Sequence, residues 1–425
     1  MSQSLDLSSD YQGHVLGLLS LKDIHILQQV SRSLYDQTWK YSVRKLSYVK
    51  GSFDPIIAKY IRKSSVLFSL NLSHTKVTDM GLRCIESLSK LNTLNLCRTG
   101  ISDIALRSVE FLFELTSLDL SITKITSKGL KYIEDLHKLI SLNLSFLNLK
   151  DEGLKNIEGL FNLTTLNLSY AKIKDLKSIE GLHNLTFLDL SGILITDLQL
   201  KSVEGLLNLT HLDLSTSQVT SEGLKSVEGL FNLTYLDVSS IVSLTDSGLK
   251  SVEGLLNLTH LDLSASQVTS EGLKSIEGLH NLTYLDVSSG SLTDSGLKSV
   301  EVLTKLTTLN LFYTRVTDIG LKSIERLTNL TSLCINAAKI SDLGLKSLEV
   351  LTNLTSLNMS ATEITDIGLK SLEGFLNLTK LDLSSCRGIT DIGLKSLEGL
   401  TNLTTLNLFN TRITEKTVTS KKRSP

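Results

Sequence analysis

The stretch ITDIGLKSLEGLTNLTTLNL, residues 389–408, contains two different periodicities and decides the fold. Its closing Leu403-Thr-Thr-Leu406-Asn-Leu408 alternates as a strand does, with leucines on one side and the intervening residues on the other. Its opening Gly-Leu-Lys-Ser-Leu-Glu-Gly-Leu places Leu394, Leu397 and Leu400 three residues apart, which is helical spacing. A strand and a helical arm therefore share one short unit.

Working outward, the frame L-x-x-L-x-L recurs fifteen times between Leu67 and Leu403. The step is 24 residues nearly everywhere, 22 from Leu163 to Leu185, and 25 after Leu233 and Leu378. The short unit, AKIKDLKSIEGL (171–182), lacks the glycine that opens the helical arm elsewhere. Residues 208–255 are nearly repeated at 257–303, a duplication of a two-repeat block. An arm of about two helical turns, as predicted for 223–230, cannot persist alone in water, so the units must stack.

These units resemble leucine-rich repeats, in the subtype common in F-box proteins. That subtype carries Cys or Thr where other classes carry an asparagine ladder. Here the position holds Thr75, Thr99, Thr123, Thr314, Thr362, Thr411 and Cys386. The resemblance implies an α/β leucine-rich-repeat solenoid, a horseshoe. Its parallel β-sheet would line the concave face, short helices the convex face, with a small helical N-terminal region. The expected divisions are 1–50 (a helical F-box-like region or cap), 51–66 (a connector), 67–414 (the repeats) and 415–425 (a basic tail).

The run VLGLLSLKDIHILQQVSRSLYDQTW (15–39) resembles an F-box, without the usual Leu-Pro opening upstream. The resemblance implies that Leu18, Leu19, Leu21, Ile24 and Leu27 contact a Skp-type adaptor. The protein would then be the substrate-recognition subunit of an SCF-type ubiquitin ligase. The alternative is that 1–50 only caps the first repeat and the chain is a free-standing scaffold or inhibitor.

Composition narrows the functions. Forty-three basic against 44 acidic residues give a net charge of -1, which makes no electrostatic case for nucleic acid. No apolar run approaches about 18 residues, so no membrane span is expected. There is no secretory leader pattern, and Cys84, Cys97, Cys334 and Cys386 form no CxxC pair. The expected setting is cytoplasmic, and Lys421-Lys422-Arg423 would also allow a nuclear one. Asn-Leu-Thr recurs from Asn162 to Asn402 at one fixed phase, which reads as repeat grammar rather than as glycosylation sites.

No phosphate-binding, zinc-protease, nucleophile-elbow or dinucleotide fingerprint occurs, so neither an enzyme nor a cofactor is expected. His211 and His260 share a column two strands apart, roughly 10 Å, too far for one zinc ion. The outward columns are more informative. Between the second and third leucines of the frame lie Asp189, Asp213, Asp237, Asp262 and Asp286 in succession. Two residues before each stand Phe187, His211, Tyr235, His260 and Tyr284, where other repeats have mostly Ser or Thr. These ten residues form the candidate partner-binding patch on the concave face, suited to a basic protein segment. The competing explanation is that duplicated repeats carry duplicated surfaces.

Overall fold

The computed structural model describes residues 45–47, 61–62, 66–150 and 154–414. The chain divides into two compact units, Met1–Ile195 and Thr196–Pro425. Each is a leucine-rich-repeat solenoid built on one parallel sheet of three-residue strands.

In the first unit the strands of this sheet are Lys45–Ser47, Ser69–Asn71, Thr93–Asn95, Ser117–Asp119, Ser141–Asn143, Thr165–Asn167 and Phe187–Asp189, and Asn148–Leu149 pairs separately with Lys172–Ile173. Neighbours pair in register, leucine against leucine, as in Leu70↔Leu94 and Leu166↔Leu188. Lys45–Ser47 extends the sheet ahead of Leu67, inside the segment expected to be helical: Leu46 pairs with Leu70, one 24-residue step upstream. The signal was present but weak, because Val43 and Tyr48 stand where the frame has leucines. The predicted adaptor contacts Leu18, Leu19, Leu21, Ile24 and Leu27 lie outside the described residues, as does the tail.

In the second unit nine strands run from His211–Asp213 to Thr405–Asn407. The frame leucines form the core: Leu209, Leu212 and Leu214 are fully buried, and their counterparts recur in successive rungs. Burying each is worth about 1.5–3 kcal/mol, and no single repeat encloses its own.

The arms opposite the sheet are shorter than two helical turns. Gly223–Val227 is a 3-10 stretch, and the longest α-helix described is Asp294–Val300. A 3-10 helix rises about 2.0 Å per residue, so few residues span the distance a 24-residue unit leaves. The arms are fastened through Asp and Thr. Asp246 Oδ1 accepts the Thr269 N–H at 2.7 Å, and its Oδ2 accepts the Thr269 hydroxyl at 2.6 Å. The same pair of bonds joins Asp294 to Thr317 and Asp342 to Thr365.

At the other strand end, the Asn-Leu-Thr asparagines form a ladder. Asn162 Nδ2 donates to the His137 carbonyl at 2.7 Å, and Asn232 Nδ2 to that of Leu207 at 2.9 Å. The nitrogen a glycan would occupy thus ties one rung to the next. The threonines of the Cys/Thr position work differently, since Thr75 and Thr362 donate within their own repeats, to Leu72 and Met359, whereas Cys386 Sγ reaches back one rung to the Met359 carbonyl at 3.1 Å.

After most strands the chain turns through a left-handed residue, which lets its N–H reach the next rung; the strand Tyr284–Asp286 is an exception. Ile122, with φ of 54°, donates to the Ser145 carbonyl at 3.1 Å. A β-branched residue there costs about 1–2 kcal/mol. Ile122→Gly should therefore raise stability by about 0.5–1 kcal/mol after the extra freedom of the unfolded chain is subtracted. A urea midpoint that falls instead would show that the Ile122 side chain contributes more than its strain removes. The natural glycine at this phase, Gly192 (φ 67°), lies against the Tyr170 ring, where a Cβ has no room.

Candidate functional site

The parallel register lays His211 beside Tyr235, Tyr235 beside His260, and His260 beside Tyr284. The four rings stack into one column. Their centroids are 3.9, 4.1 and 3.9 Å apart and their planes lie within 15° of parallel. Since strands are spaced about 4.8 Å, the rings lean together to reach contact. Such pairs add about 0.5–1.5 kcal/mol each beyond their area.

Stacking changes what the patch offers. Interior ring faces are covered by their neighbours, so the column presents a ridge of ring edges. Tyr235 also fills the space between the two histidines, the physical reason they cannot share an ion. Burial lowers the pKa of His260, with Asp237 and Asp286 pulling the other way.

Beside the ridge runs the carboxylate column. Asp213, Asp237, Asp262 and Asp286 each accept, through Oδ1, the N–H of the serine two residues on, at 2.8–2.9 Å. Asn310 and Asn358 do the same for Phe312 and Ser360, each at 3.0 Å. This side-chain turn explains why the position holds Asn or Asp in nearly every repeat. It also sharpens the sequence reading, because the turn needs a carbonyl oxygen and not a charge.

The charges have a measurable consequence. Burial pushes Asp262 up to about 6, the Ser264 hydrogen bonds opposing and the flanking Asp286 and Asp237 reinforcing the shift. Burial also raises the phenol of Tyr284, and the neighbouring aspartates add to that rise. Asp286 is 6% exposed, with Oδ1 on the Ser288 N–H and hydroxyl and Oδ2 accepting Asn310 Nδ2 at 2.6 Å. None of the ion pairs among the described residues involves Asp237, Asp262 or Asp286.

Eight of the ten predicted residues thus lie on four adjacent strands of the second unit. Phe187 and Asp189 sit on the last described strand of the first unit, where Asp189 makes the same turn with Ser191 at 2.9 Å. Sequence reasoning missed a second aromatic pair in that unit: Phe146 and Tyr170 stack at 4.9 Å and remain half exposed. Their signal was a shared phase, two residues past the frame, in consecutive repeats.

The geometry is that of a repeat protein, and comparison with known families agrees. The family model described as leucine-rich repeats in two copies matches 161–202, 352–396 and 376–418. A second, for the single leucine-rich repeat, matches 114–133, 205–227, 254–276, 278–300 and 302–324. Together they span just over half the chain, which belongs to the leucine-rich-repeat proteins.

Among solved structures, an internalin of Listeria monocytogenes is 24% identical, with a TM-score of 0.64, covering 84% of this chain and 96% of that one. A leucine-rich-repeat protein of Leptospira interrogans is 25% identical, with a TM-score of 0.63, covering 87% and 91%. The functional domain of InlJ, also from Listeria monocytogenes and described as including a cysteine ladder, is 18% identical with a TM-score of 0.51, covering 82% and 69%. These likenesses concern the fold. No curated protein matches the chain. No helix among the described residues is long and apolar enough to cross a membrane.

Proposed function

We propose that this leucine-rich-repeat protein is an interaction module that captures a basic segment of a protein partner on the sheet face from His211 to Asp286. One observation carries the reading: aspartates occupy four successive rungs where the turn requires only asparagine. Neighbouring carboxylates about 4.8 Å apart repel by about 1–3 kcal/mol, a cost that a bound cation removes. The ring ridge beside them supplies rigid contact area of the kind that anchors interfaces.

Replacing Asp213, Asp237 and Asp262 together by lysine should abolish capture of a basic peptide, read by calorimetry, while the circular dichroism spectrum is retained. Undiminished binding would sink the proposal and favour a surface left over from repeat duplication.

The finer reading is that residues 1–50 dock a Skp-type adaptor, so that the captured target is ubiquitinated. Its support is the F-box-like run 15–39. The full chain should then co-purify with a Skp-type subunit, and Leu19→Asp with Ile24→Asp should abolish that. Absence of co-purification would leave a scaffold or inhibitor whose N-terminal region serves as a cap.

A further inference from the structure

The ring column ends at Tyr284. The next strand pairs Thr308 with Tyr284, and the one after pairs Ser332 with Thr308. One side of the Tyr284 ring is covered by His260, stacked at 3.9 Å and 9° from parallel. Its other side faces a rung whose side chain is too small to reach ring height. The column therefore stops with a shelf one ring deep, floored by Thr308 and Ser332.

Beside this shelf lies Asp286, a buried carboxylate with no ion-pair partner among the described residues, bonded to Ser288 and Asn310. Asp262 stands one rung further along the same column. The shelf thus combines a flat aromatic face with uncompensated negative charge. A planar cation satisfies both at once, through stacking and cation–π attraction on one side and Coulomb attraction on the other. A lysine ammonium satisfies the charge but cannot continue a stack of rings.

We infer that the Tyr284 end of the column is an arginine slot, in which a guanidinium of the partner stacks on Tyr284 above Thr308 as the next rung. This rests on the proposed capture of a basic segment and names the residue type that sets its specificity. The column's interior contributes rigidity, because each ring holds the next in plane, while the terminal face does the selecting.

The test compares dye-labelled nona-arginine and nona-lysine by fluorescence anisotropy at equal ionic strength. The wild-type protein should prefer nona-arginine by about tenfold. Thr308→Tyr, which fills the shelf with the protein's own ring, should bring the ratio close to one by lowering the nona-arginine affinity toward that of nona-lysine. Tyr284→Leu should also bring the ratio close to one by removing the stacking face, and should weaken nona-lysine as well because its ring belongs to the ridge. Equal wild-type affinities, or a preference that survives Thr308→Tyr, would overturn the slot but leave capture of a basic segment intact. If neither peptide binds the wild type, both readings fall together.

Discussion

Asp262→Asn should stabilise the protein by about 1–3 kcal/mol at pH 8, and the gain should vanish near pH 3. The asparagine keeps the turn, since its Oδ1 can accept the Ser264 N–H that Asp262 accepts at 2.9 Å. What it removes is a carboxylate whose folded pKa is raised from 3.8 to about 6, chiefly by burial. A raised carboxyl pKa means that the folded state binds the proton more tightly than the unfolded state does. Below about pH 3 both states are protonated and the group is neutral in its effect on stability. As pH climbs toward 6 and beyond, the folded state bears an ionised, half-buried group, and the penalty grows to its full value.

Urea midpoints of wild type and variant across pH 3 to 8 should therefore converge at the acid end. A gain independent of pH would mean that the carboxyl does not titrate as burial requires. Capture of a basic segment should show the opposite trend and weaken as pH falls through about 6, because Asp262 loses its charge. Stability and recognition then pull against each other at one residue, the expected mark of a position kept for binding.

The second large effect belongs to the arms. Asp294→Ala should cost about 2–4 kcal/mol by removing two charge-assisted bonds to Thr317 and leaving its half-buried N–H without that acceptor. Those bonds are each 2.7 Å long. The same carboxylate explains a glycine: a Cβ on Gly320 would collide with Asp294 Oδ1. Gly320→Ala should thus cost about 1–3 kcal/mol, although alanine is the better helix former.

In the double variant the collision is largely relieved, so the two losses should fall short of their sum by at least about 1 kcal/mol. Urea unfolding of the four proteins reads this directly. Strict additivity would show that the glycine is there for some other reason. The same glycine faces Asp318 at Gly344 and Asp342 at Gly368, so the Asp-x-Gly of the repeat is a device acting between rungs.

The sequence alone determined the solenoid, because fifteen leucine frames in constant phase have one way to bury their leucines. It also determined which residues face outward, since a period of two leaves no choice once the leucines are inside. Tertiary structure decided what those outward residues do. Asp213 and Asn310 form the same turn, and the acidic run was legible in the sequence, but only the structure shows that burial beside neighbouring carboxylates raises the pKa of Asp262. His211, Tyr235, His260 and Tyr284 lie 24 or 25 residues apart in the chain, and only the sheet brings their rings to about 4 Å. The physical reason is the same in both cases: charge repulsion and ring stacking depend on distances across rungs, and a local pattern does not contain them.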